Sequence, residues 1–175
     1  NKNIALLNDY PLLAYSIAAA SMCPDIASVV VSTDSEDYAH TAKKYGADVP
    51  FLRPAEYSTD SSTDLDAVRH YLDWGTSKHK QTPSLIIHLR PTTPLRNPQV
   101  ISEAIQFILQ HPDSSSLRSS HLAPESPSKW FKKKGPYYEP FDSRVALEDS
   151  NDPRQQFENT YIPNGYVDIL KPYYI

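Results

Sequence analysis

Glycine is nearly missing from this chain: 4 residues in 175, against 16 prolines. None of the four falls in a cluster, which excludes a glycine-rich, phosphate-cradling loop within these residues. Cysteine occurs once, at Cys23, so no disulfide can form inside the chain, and the usage fits a reducing compartment. No apolar run approaches the roughly 20 residues that a membrane-spanning helix needs. Charge of neither sign dominates. A net charge of −4 and a pI near 5.8 exclude wholesale nucleic-acid binding, so an anionic substrate must be met by a few local Arg and Lys side chains. The six histidines lack the spacing of metal ligands, and neither serine nor cysteine sits in a nucleophile-elbow context.

What is there suits one domain with a real core, at 39% hydrophobic and 22% charged residues. The chain opens at Asn1 with no methionine or signal sequence and stops at "KPYYI" after a strand-like run, so both ends are expected to be cut from something longer. Helices are expected over 11–23, 34–47, 61–77 and 97–111. The second has an acidic first turn, Lys43 and Lys44 in its last turn and Gly46 at its stop, and the fourth has Asn97 as cap and Pro98 at its first position. The β-branched run "IASVVVST" (26–33) and "SLIIHL" (84–89) read as strands buried on both faces, with "DVPFLRP" (48–54) as a short extended piece. Alternating strands and helices give an α/β domain with a mainly parallel sheet. Beyond residue 111 the helical period disappears. "SKWFKKKGPYYEPF" (128–141) reads as a hairpin around Gly135-Pro136, and "YIPNGYVDIL" (161–170) returns to strand character. Residues 121–162 therefore form an excursion from the main sheet, of the kind that packs on a second subunit.

In open α/β sheets ligands bind beyond the carboxyl ends of the strands. Those ends carry Ser32-Thr33-Asp34, Arg53-Pro54, Arg90-Pro91-Thr92-Thr93 and Asn164-Gly165. Each of Arg53 and Arg90 precedes a proline that biases it to extended geometry, where a guanidinium can fork onto a carboxylate or a phosphate. Pairing with a nearby Asp or Glu is the equally weighted structural reading. Asp34 can bind a cation, accept from a ribose hydroxyl or cap the following helix, and capping fits its context best. Asp60, Asp64 and Asp66 stand at a helix start and compensate its dipole. Lys132, Lys133 and Lys134 suit a solvated hairpin tip.

Taken in order, "KN", "PLLAYSI", "VVVSTDSE", "YGADVPFLRPAE", "LRPTTPLR", "PRQQ" and "PNGYVDI" resemble the acylneuraminate cytidylyltransferases, the CMP-sialic acid synthetases. The likeness runs almost end to end and is weakest at 111–150. It implies a Rossmann-like nucleotide-sugar transferase fold, a mainly parallel sheet flanked by helices, and a protruding dimerisation arm at 121–162 within a single domain over 1–175. The implied reaction couples CTP to an acidic nine-carbon, sialic-acid-like sugar acid and releases pyrophosphate, with Mg²⁺ supporting the departing group. The implied setting is a cytoplasmic homodimer, without nucleic acid or membrane. An eight-carbon octulosonate substrate and a non-catalytic, dimeric nucleotide-binding relative are the alternatives.

The roles implied by the resemblance fall on named positions. Lys2 faces the triphosphate, Asn3 the cytosine or ribose, and Arg53, Thr63 and Asp64 hold the nucleotide. Arg90, Thr92 and Asn164 face the sugar, and Lys129 and Arg154 reach from the arm to the neighbouring subunit's site and meet anionic substrate groups there. Lys2 and Arg90 are the positions given a catalytic role, and Arg96 of "PLR" a structural one. No metal ligand is assigned, because the family's Asp-x-Asp has its place after Ile175 and its glycine- and lysine-rich phosphate segment before "KN". Two positions depart from the family pattern: Arg90 stands where Gln is usual, and Asp64 where Ser or Thr is common.

Overall fold

The computed structural model describes residues 2–144 and 146–175, which fall into two compact units, 1–118 with 165–175 and 119–164. In the first unit a minimal pair of strands, β1 (Leu6–Leu7) and β2 (Tyr10–Pro11), leads into helix α1 (Leu12–Ser21). Helices α2 (Glu36–Lys44), α3 (Asp64–Ser77) and α4 (Pro98–Leu109) follow, with strand β3 (Ile86–His88) between the last two. Strand β4 (Ser116–Leu122) leaves this unit, and β7 (Tyr161–Leu170) returns to it. The second unit carries the hairpin β5 (Phe131–Lys134) and β6 (Tyr137–Pro140). Gly135, at φ +61, supplies the left-handed corner of its two-residue turn.

Local chemistry explains the helix ends. Asn97 Oδ1 accepts from the Gln99 N–H at 3.0 Å, with Pro98 at the first helical position of α4. Gly46, at φ +93, ends α2. Capping of α2 falls not to Asp34 but to Ser35, whose hydroxyl accepts from the Tyr38 N–H. One carbon shorter than Asp34's carboxyl reach and one residue nearer the helix, Ser35 meets the first-turn donors directly. At α3, Thr63 and Asp66 close a reciprocal capping box, and these bonds from Thr63 hold the Asp66 carboxyl below its ordinary value.

Two cores share α1. Ala19 and Cys23 pack with Ile101, Ile105 and Ile108 of α4 and with Val167 and Ile169 of β7. Leu13 and Ile17 pack with Ala42 and Ala47, under the partly buried Val29, Val31 and Val49.

The mainly parallel sheet expected from the sequence is corrected. β7 is the middle of a three-stranded sheet between β3 and β4, and its register with β3 is antiparallel, pairing Ile86 with Leu170, Ile87 with Ile169 and His88 with Asp168. A strand that returns from an excursion needs no helical crossover, so nothing forces it parallel. Parallel alignment survives only as the Val30–Asp48 bridge among the described residues. There Asp48 N–H donates to the Val29 carbonyl at 2.8 Å and Val31 N–H to the Asp48 carbonyl at 2.9 Å. The next donor of such a ladder is residue 50, a proline without an N–H, so the run 26–33 stays extended but never becomes a regular strand.

Candidate active site

The loop that follows β3 is built on one buried arginine. Arg96, 8% exposed, donates from Nη1 to Ser16 Oγ at 2.8 Å, from Nη2 to the carbonyls of Arg90 at 2.8 Å and Gly165 at 3.1 Å, and from Nε to the Tyr166 carbonyl. Burial pushes its pKa down to about 10, which leaves it charged at neutral pH. All four acceptors are uncharged. One guanidinium thus ties α1, both ends of the "RPTTPLR" loop and the start of the inner half of β7 together. Gly165 has φ +66, and a β-carbon there would lie 3.6 Å from Thr93 Oγ1 and 3.8 Å from Arg90 Nη1. That backbone conformation is costly for any other residue.

At the mouth of the loop sits Arg90. β3 alternates, with Leu85, Ile87 and Leu89 against the core, so His88 and Arg90 share the opposite face. Across the ladder Asp168 stands opposite His88 on that same face. Arg90 Nη1 donates to Asp168 Oδ2 at 2.7 Å, while its Nε and Nη2 donate to Asp64 Oδ2, at the start of α3, at 3.0 and 2.6 Å. Burial pulls against the Arg90 charge, but the hydrogen bonds to Asp168 and Asp64 outweigh it and hold the pKa above its ordinary value. Arg118 Nε lies 3.5 Å from Asp168 Oδ1, and His88 Nε2 lies 3.9 Å from Asp64 Oδ1. Burial lowers the His88 pKa, partly countered by Asp64.

The site residues expected from the sequence are distributed as follows. Asp64 and Arg90 come into direct contact, so the two positions that depart from the family pattern are partners. Thr92 is exposed in the same loop, four residues before Arg96. Thr63 spends its hydroxyl on the capping box with Asp66. Arg53 donates from its backbone to the Thr33 carbonyl at 2.8 Å and from Nε to Ser58 Oγ at 2.9 Å. Lys2 and Asn3 lie in a short 3₁₀ turn, Lys2–Ile4, with Lys2 exposed. In the second unit, Asn164 Oδ1 accepts from Ser119 Oγ at 2.7 Å, Lys129 Nζ lies 5.6 Å from the centre of the Phe157 ring, and Arg154 Nη2 donates to the Ala123 carbonyl at 2.9 Å. Arg154 also lines an open cavity of about 370 Å³ with Gln155, Phe157 and Asn159. The sequence reading missed Asp168, His88 and Arg118. The alternation of "LIIHLR" could have placed His88 beside Arg90, but the register that brings Asp168 opposite is not written in either strand alone.

A cytidylyltransferase family model matches residues 1–163. The chain belongs to this cytidylyltransferase family. Among curated relatives, it is 41% identical over 107 residues to the N-acylneuraminate cytidylyltransferase of Escherichia coli, covering 61% of this chain and 24% of that protein. It is 37% identical over 106 residues to the CMP-N,N'-diacetyllegionaminic acid synthase of Legionella pneumophila, covering 61% of this chain and 45% of that protein. The match therefore spans less than half the length of these two relatives. In fold, the chain resembles a solved CMP:2-keto-3-deoxy-manno-octonic acid synthetase complexed with CTP, with a TM-score of 0.67 and 16% identity over 97% of this chain and 67% of that one. That likeness is one of fold alone, α-helices packed on a sheet.

The carboxylates beside Arg90 do not suit a divalent cation. Asp64 and Asp168 both serve Arg90, and among the described residues no group of three or more His, Cys, Asp or Glu is placed to hold a metal.

Proposed function

We propose that this protein couples CTP to a nonulosonic, sialic-acid-like sugar acid, giving a CMP-sugar and pyrophosphate. The observation that carries the reading is the loop 90–96, locked by Arg96 so that Arg90 stands at its mouth, within a chain that the family matches over residues 1–163. The relatives named for N-acylneuraminate and legionaminic acid support a nine-carbon acid. In this reaction the sugar's anomeric hydroxyl bonds to the α-phosphorus of CTP, the α–β phosphoanhydride bond breaks, and the hydroxyl proton is lost. Such chemistry calls for positioning and for cations beside developing negative charge.

In this reading Lys2, Asn3, Arg53 and Thr63 serve the nucleotide, Arg90, Thr92 and Asn164 serve the sugar, and Lys129 and Arg154 are basic positions of the arm that reach a neighbouring subunit's site. The expectation of Mg²⁺ carries no step here, since the carboxylates present are already paired. Residues 121–162 act as the self-association arm, a role supported by Tyr137, Tyr138 and Phe131, exposed on the hairpin. A cytoplasmic setting follows from the need for CTP.

The test is pyrophosphate release by the intact protein, given CTP and a panel of N-acetylneuraminic, legionaminic, pseudaminic and 3-deoxy-octulosonic acids. Release with at least one nine-carbon acid is expected. Release with the octulosonate alone moves the substrate to the eight-carbon class, and no release with any of the four rejects the enzymatic reading in favour of a binding protein.

A further inference from the structure

Arg90 is held by two carboxylates of opposite character. The Asp168 side chain is 7% exposed, lies in the middle strand of the sheet and takes Nη1. The Asp64 side chain is 56% exposed and takes both Nε and Nη2. A guanidinium fork meets a carboxylate best with two parallel bonds, one to each oxygen. Here both N–H groups converge on Oδ2 of Asp64, while Oδ1 is turned toward His88 Nε2 at 3.9 Å. The outer fork of Arg90 is therefore occupied but not well matched. The start of α3 does not depend on this pairing, because Thr63 and Asp66 cap the helix between themselves. Asp64 can swing away at little cost to the helix, and exposed ion pairs of this kind are weak. Asp168 cannot leave, because it sits in the sheet with Arg118 on its other side.

We propose that Asp64 is an internal placeholder: in the free protein it covers the outer fork of Arg90, and the carboxylate of the acidic sugar displaces it. Asp168 is then the positioning residue that keeps the guanidinium aimed during the exchange. This inference rests on the reading of the substrate as a sugar acid. Its consequence is selectivity. A carboxylate can replace a carboxylate on Arg90, whereas an ester or amide of the same sugar leaves the fork with Asp64. It also accounts for a fully ion-paired arginine standing at the mouth of a site that must receive an anion.

The experiment compares wild type, Asp64→Asn, Arg90→Gln and the double variant in the intact protein, reading KM for the accepted acid and for CTP separately. Asp64→Asn is expected to lower KM for the acid about 2- to 5-fold, the size of effect that removal of a weak competing ion pair produces. On the Arg90→Gln background the same substitution is expected to give no gain. An unchanged or raised KM in Asp64→Asn, confirmed with Asp64→Ser, overturns the proposal, as does a gain that persists without Arg90. If wild type releases no pyrophosphate with any acid, the enzymatic reading fails by itself, and the exchange is read by calorimetric binding of N-acetylneuraminate. Tighter binding to Asp64→Asn than to wild type supports the exchange, and equal or absent binding to both overturns it.

Discussion

At the level of single residues, the cluster around Arg90 shows what the sequence could and could not convey. That Arg90 would fork onto an acidic group was an open alternative from its place before Pro91. Its partners were not legible, because Asp64 lies 26 positions earlier and Asp168 78 positions later. No local rule selects one aspartate over another across such gaps; the antiparallel register does. His88 offers a direct check. Burial favours its neutral form in the folded protein, whereas the unfolded chain binds a proton at the ordinary value near 6.5. The unfolded state therefore holds more protons below that pH. The contribution to stability is complete above about pH 6.5 and declines as the pH falls through it. Urea midpoints measured from pH 7.5 to 5.5 should fall more steeply for wild type than for His88→Gln. Equal slopes would show that His88 titrates normally.

Elements tell a more even story. The four helices lie where apolar period and capping chemistry put them, because those signals are local: Asn97-Pro98, Gly46 and the acidic first turns act on neighbours within one turn. The strands were harder. The run 26–33 has the composition of a buried strand, yet Pro50 removes the donor that would extend its ladder, and a strand's partner cannot be read from the strand itself. Arg96 is the element-level fastener, joining α1, the loop and β7. Arg96→Ala would remove the guanidinium's hydrogen bonds to Ser16 Oγ and three carbonyls, of which that of Arg90 keeps the Thr93 N–H, and is expected to destabilise the protein by about 3–5 kcal/mol. Denaturant unfolding measures this. Arg96→Lys should recover only part of the loss, since an ammonium cannot span the same four acceptors.

For the whole molecule, the sequence texture changes after residue 111, and residues 119–164 cluster as a unit of their own. The proposed self-association of that segment is tested by the pair Tyr137→Asp and Tyr138→Asp, whose side chains are 75% and 67% exposed and so can be changed without disturbing a core. Light scattering on the intact protein should show a dimer for wild type and a monomer for the double variant. A dimer in both places the contact elsewhere. The clasp formed by Arg96 has a further meaning on this scale. It joins a serine 80 positions before it to a backbone carbonyl 70 positions after it. Such distant meetings carry a large loop-closure entropy, which the finished structure must repay. A ligand that binds only when the loop 90–96 is formed will therefore draw the folding equilibrium toward the native chain.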